Sequence, residues 1–179
     1  MTKKNVGGRP LSGRGPTLFA VLLTLTACGG AMRATNDATA VAQHIAVFDN
    51  LDFQVFSNQK WEDLHKSHAH DIKVHWPDGH EADGIDRHID DLKAMFVYAP
   101  DTRIKVHPVK FGAGDWTSVI GIMEGTFTQP MPLPDGSSIP PTGKSFRLWM
   151  ATVGHWKDGV MDEEYLFWDN KSYMVQLGL

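Results

Sequence analysis

The chain is most informative in what it lacks. Its 179 residues include one cysteine, Cys28. That excludes a disulfide-stapled scaffold and a zinc site built on cysteines, and it leaves no thiol nucleophile if Cys28 is otherwise engaged. No apolar run is long enough to span a bilayer core of ~30 Å, which excludes a multi-span membrane protein. No basic run exists, so neither nucleic acid nor an anionic lipid surface has an obvious electrostatic partner here. Serine never stands in a Gly-x-Ser-x-Gly elbow. Gly112-Ala113-Gly114 lies between two strand-like segments, so it is not the dinucleotide loop that opens a helix. What is present is ordinary globular composition, 42% hydrophobic, 21% charged and 10% aromatic, which excludes a disordered chain.

The N-terminus carries the order of a secretory signal. Lys3, Lys4, Arg9 and Arg14 precede a short apolar core, Leu18-Phe19-Ala20-Val21-Leu22-Leu23-Thr24-Leu25, and small residues follow. The run Leu25-Thr26-Ala27-Cys28 resembles a bacterial lipobox, which implies cleavage after residue 27 and lipidation of Cys28. Gly29 favours the outer membrane, with the domain facing the periplasm, and contact with the membrane only through the lipid. The expected division is a signal peptide over 1–27, a tether over 28–36 and one domain over 37–179. Removing the signal leaves thirteen basic against twenty-one acidic residues, a net charge of −8 with histidine neutral.

Hydrophobic spacing lays out the domain. Val41, Ile45, Phe48, Leu51 and Val55 mark one face of a helix that Asn36 or Asp37 can cap and that runs to about Phe56. A short helix follows over 60–68, then a strand at 71–76 stopped by Pro77-Asp78-Gly79. Ile85, Ile89, Leu92 and Phe96 mark a third helix, ended near Pro100. Strands are then expected over 103–111, 116–128, 145–156 and 160–169, with a Pro-rich loop over 130–143 and a helical tail over 172–177. Helices followed by a strand meander make an α+β plan. The expected shape is a cone, a curved antiparallel sheet packed on three N-terminal helices.

Motifs in this order resemble the SnoaL-like polyketide cyclases (ester cyclases) of the nuclear transport factor 2-like superfamily. They are Asp71-x-x-x-His75-Trp76-Pro77-x-Gly79, Gly125-Thr126-Phe127-Thr128, Pro140-Pro141-Thr142-Gly143-Lys144, Asp158-Gly159-Val160-Met161-x-Glu163-Glu164-Tyr165-x-x-x-Asp169, and Gln176-Leu177-Gly178. The resemblance implies a metal-independent acid/base cyclase of the intramolecular aldol type, with no cofactor. It places Asp169 as the acid/base carboxylate, with Tyr165, Trp76 and His75 positioning the substrate, and it puts Met161, Glu163, Tyr165, Phe167 and Asp169 on the cavity face of the last strand. Asp169 can equally cap the tail helix, since aspartate is a preferred cap. Phe127 stands where many relatives have histidine, so a shuttle built on that imidazole is lost.

Strand parity puts Met123 and Phe127 together. With Trp76, Met150, Tyr165 and Glu163 they make an expected pocket for a small apolar or aromatic molecule. The alternative is a lipoprotein that binds such a molecule without reaction. His68, His70, His75 and His80 invite a metal reading, but their placement at element ends favours solvent-facing side chains, and no metal is expected. Ile120 with Ile122 and Leu166 with Trp168 give the sheet a second apolar face, which predicts a homodimer.

Overall fold

The computed structural model describes residues 1–2 and 25–179, with side chains described from residue 37 onward. Most of the residues expected to form a signal peptide, and the Cys28 side chain, therefore lie outside what is described. Among the described residues no helix is long and apolar enough to cross a membrane.

Helix α1 spans Leu25–Asn50, so its backbone begins upstream of the Asn36 or Asp37 cap expected from the sequence. It passes without a break into a π-helical turn, Leu51–Val55, and a 3₁₀ turn, Phe56–Asn58. The stripe condenses where it enters the core, and Phe48, Leu51 and Val55 are all buried. A 3₁₀ segment, Trp61–Lys66, stands where the second helix is expected. Helix α2 spans Ile85–Tyr98 and buries Ile85, His88, Leu92, Met95 and Phe96.

The strands are β1 (His68–His75), β2 (Glu81–Asp83), β3 (Arg103–Ile104), β4 (Val109–Ala113), β5 (Trp116–Thr126), β6 (Met131–Pro132), β7 (Ser138–Ile139), β8 (Ser145–Lys157) and β9 (Val160–Phe167). The main sheet runs β2-β1-β9-β8-β5-β3, with β4 also on β5, and β6-β7 form a separate hairpin inside the Pro-rich loop. All pairs are antiparallel except β1 with β9, which brings the first and last strands side by side in parallel. Helix α3, Asn170–Leu177, closes the chain. The α+β cone expected from the sequence is the observed architecture.

Two departures from regular pairing decide where the functional side chains go. The strand expected over 103–111 is split around His107 and Pro108, because proline has no N–H to give to the ladder. Both pieces still pair with β5. Across the break Ile122 N donates to Val106 O at 3.3 Å, and the His107 side chain turns inward. Gly121 lets both flanks of the break pack close, since a Cβ there would lie 3.2 Å from Ile104 Cγ2 and 3.4 Å from His107 Cδ2.

The second departure is a bulge in β9. Trp156 pairs with Met161, but His155 pairs with Glu163, which leaves Asp162 as an extra residue. Parity therefore flips at Asp162. Met161 points inward before it, and Glu164 and Leu166 point inward after it. Glu163, Tyr165 and Phe167 occupy the outer face, with Phe167 52% exposed. The expected cavity face of this strand is corrected accordingly, and so is the placing of Leu166 and Trp168 outside, since both line the interior cavity.

Candidate functional site

The helices and the concave side of the sheet enclose a cavity of about 40 Å³. That is room for a few water molecules at most. Its walls are mainly apolar, among them Leu51, Phe56, Leu92, Met95, Ile104 and Leu166. Trp76, Met123 and Met150 line it. Phe127 does not; it is fully buried elsewhere, edge-on to Tyr98 at 5.9 Å.

The other expected site residues sit outside the cavity. His75 Nε2 meets Glu163 Oε1 at 2.9 Å, and His75 Nδ1 lies 3.1 Å from Glu81 Oε1. Tyr165 stacks on the His75 ring at 4.2 Å and donates its hydroxyl to Glu163 Oε1 at 2.8 Å. His75, Glu163 and Tyr165 are thus together, but on the outer face of β1 and β9. Hydrogen bonds from His75 and Tyr165 hold the Glu163 carboxyl below its ordinary value. Asp169 is exposed and caps α3, with Oδ1 accepting from Ser172 N at 3.1 Å. The cap reading of this residue fits its geometry.

The polar residues that do enter the cavity are Asp52, His68, His88, Thr152 and Glu164. Asp52 sits on the π-helical turn, four positions after Phe48 and so on the same buried face. Its Oδ2 is 2.7 Å from His107 Nε2, whose Nδ1 is 2.8 Å from Asp49 Oδ1. Lys110 Nζ donates to Asp49 Oδ2 at 2.7 Å. A hydrogen-bonded line thus leads from the cavity wall to a partly exposed carboxylate. Burial pushes the Asp52 carboxyl above its usual value, against the pull of His107. Burial pushes His107 down, but the bonds and charges of Asp52 and Asp49 outweigh it and hold the imidazole above the usual histidine value.

A second polar group faces the same space. His68 and Glu164 approach at 3.6 Å between Nε2 and Oε2, and His88 Nε2 is 3.4 Å from the same Glu164 oxygen. All three residues are almost wholly buried. Burial favours a neutral Glu164, yet attraction to His68 and His88 holds its carboxyl below the ordinary range. His88 is pushed down to about 4 by burial, which the Glu164 charge offsets only in part. Trp76 and Trp168 meet edge to face at 5.9 Å, and their indole N–H groups have no hydrogen-bond partner among the described residues. Buried polar atoms left this way are uncommon and mark a place where a guest can be held.

The depressed His88 value makes the fold acid-sensitive. Between the ordinary value of 6.5 and about 4, the unfolded chain binds a proton at His88 that the folded chain refuses. Stability from this group is therefore complete above 6.5 and drains away as the pH falls towards 4, by on the order of 3 kcal/mol. Urea unfolding at neutral pH and near pH 4.5 is the check, with chelator present. The loss should be clearly smaller in His88→Gln; equal losses would mean that His88 is not the acid-labile group.

Residues 42–177 match the family model described as SnoaL-like polyketide cyclase. None of the curated proteins matches the sequence. Among solved structures, a SnoaL-like protein from Jannaschia sp. CCS1 superposes with a TM-score of 0.67 at 16% identity, covering 77% of this chain and 93% of that one. IdmH from Streptomyces antibioticus gives 0.63 at 22% identity, with 77% and 98% covered. TsrD from Streptomyces laurentii gives 0.61 at 16%, with 79% and 97% covered. At these identities the likeness concerns the fold.

Proposed function

Because the chain belongs to the SnoaL-like polyketide cyclase family, we propose that it is an acid–base enzyme that forms an enolate from a carbonyl compound inside its cone, with Asp52 as the group that moves the proton. The observation that carries this reading is the buried Asp52, set on a π-helical turn and joined through His107 to Asp49. Turns of this kind recur at functional sites. Asp169 has no comparable setting, since its side chain is engaged with a helix end in solvent.

The chemistry follows from the placement. The ligand's carbonyl oxygen lies at the Trp76–Trp168 end, where two indole N–H groups lack partners among the described residues, and Asp52 takes the proton from the carbon beside that carbonyl. The C–H electron pair becomes the C=C bond of the enolate, and the charge moves to the oxygen. The enolate carbon then attacks a second carbonyl of the same molecule, and the oxygen formed there takes the proton back from Asp52. His107 and Asp49 hold or pass that proton in between. The walls supply Met95, Met123 and Met150, unbranched side chains that can shift to admit a guest larger than the present cavity. Exchange of α-hydrogens for deuterium, followed by NMR on small β-diketones and β-keto esters in D₂O, is the experiment. Exchange above the buffer rate supports the enzyme. Binding of such compounds without exchange supports the second reading, a non-catalytic binder, which the apolar lining favours.

The rest of the assignment is proposed on sequence and surface. The lipid anchor rests on Leu25-Thr26-Ala27-Cys28. Cys28→Ser should leave an uncleaved or soluble protein in cell fractionation; the same outer-membrane fraction for both would remove the anchor from the proposal. A homodimer is supported by the outer sheet face, where Phe111 is 60%, Trp116 42%, Trp149 57% and Phe167 52% exposed. Light scattering at micromolar concentration should give the mass of two chains. The mass of one chain would refute it.

A further inference from the structure

We propose that His68 Nε2, His88 Nε2 and Glu164 Oε2 form a binding site for a divalent transition-metal ion in the cavity. Each of the three residues offers a ligand atom, and these atoms all lie within 4.8 Å of one another. The approaches of 3.6 and 3.4 Å to Glu164 Oε2 are long for hydrogen bonds. They are close to the roughly 3.0–3.5 Å that separates neighbouring ligands around an ion held at ~2.1 Å. Two imidazoles and one carboxylate suit zinc or ferrous iron and leave positions open for a guest.

The hydrogen bonds of Ser67 say which way the His68 ring faces. Ser67 Oγ donates its single proton to Leu64 O at 3.0 Å, so towards His68 it accepts. His68 Nδ1, 2.8 Å away, is then the N–H, and in the neutral ring, the form that ligates a metal, Nε2 presents a lone pair towards Glu164. Two acceptors then face each other in a buried site, and His68 Nε2, His88 Nδ1 and Glu164 Oε2 have no partner among the described residues. Something positive belongs between them. A proton would serve one pair, whereas a metal ion serves all three atoms at once. The Ser67 bond also has the form of the outer-shell contact that fixes a ligating imidazole.

The site goes beyond the Asp52 reading, and zinc retention is measured without turnover, so either can fail alone. Full chain stripped with chelator and then given Zn²⁺ should retain one zinc per chain after desalting. Glu164→Gln and His88→Gln should each weaken retention by about tenfold or more, and Ser67→Ala by roughly 10–100-fold. Unchanged retention in these variants would overturn the site by assigning the zinc to surface histidines such as His65 and His70. No retention by the unmutated chain would also overturn it, as would NMR showing His68 protonated at Nε2 in the presence of Zn²⁺. Should a variant fail to fold, anomalous scattering from zinc-soaked crystals of the unmutated protein decides. A peak between the three side chains confirms the site, and peaks elsewhere only reject it.

Discussion

Asp52→Asn should lower α-hydrogen exchange by about 10²–10⁴-fold, the range over which general acid–base catalysis contributes. The amide keeps the shape of the carboxylate and can still accept from His107 Nε2, now at 2.7 Å. What it cannot do is take a proton. Unfolding free energy should stay within about 1 kcal/mol of the parent, because the substitution opens no cavity and removes a charge that burial disfavours. Ligand affinity should hold. The matching Asp169→Asn should leave exchange untouched, since asparagine caps a helix about as well as aspartate. Exchange lost in Asp169→Asn and kept in Asp52→Asn would return the acid–base role to the last strand's end.

The largest stability effect is expected at Phe48. Its side chain is 1% exposed and lies edge-on to Trp156 at 6.0 Å and to His107 at 6.4 Å. It therefore couples α1 to the sheet and supports the imidazole behind Asp52. Phe48→Ala should cost about 3–5 kcal/mol, from lost burial and from a void the neighbours fill only in part. Phe167→Ala, on the same residue type but on the outer face, should change the stability of a single chain by roughly 0.5 kcal/mol or less. Parallel urea titrations read both. Similar losses at the two positions would contradict the observed facing of β9.

The elements were legible because they obey simple periods. The stripe through Phe48, Leu51 and Val55 and that through Ile85, Leu92 and Phe96 both describe real buried faces. The site was harder, because it depends on departures from period. Reading alternate residues from Met161 onward fails at Asp162, and it exchanges Glu164 for Glu163. No feature of the sequence announces that bulge. Other signals were present and small. Asp52 follows Phe48 by four and His88 follows Ile85 by three, so each polar residue interrupts an apolar stripe. Gly121, inside a strand, marks the close approach of Ile104 and His107. His68 drew attention as one of a run of histidines, but its partners come from α2 and β9, and only the fold assembles them.

The parallel pairing of β1 with β9 sets the order in which the protein can become whole. His75 and Glu163 are 88 positions apart, and the cavity residue His68 also waits for a strand near the chain's end. Contacts this distant in sequence form late and slowly. A chain made from its N-terminus emerges with β1 lacking its neighbour until almost the whole domain has been synthesised. The half that is made first cannot close its core. Completion of the hollow then coincides with arrival of the last strand, which ties assembly of the site to the end of synthesis.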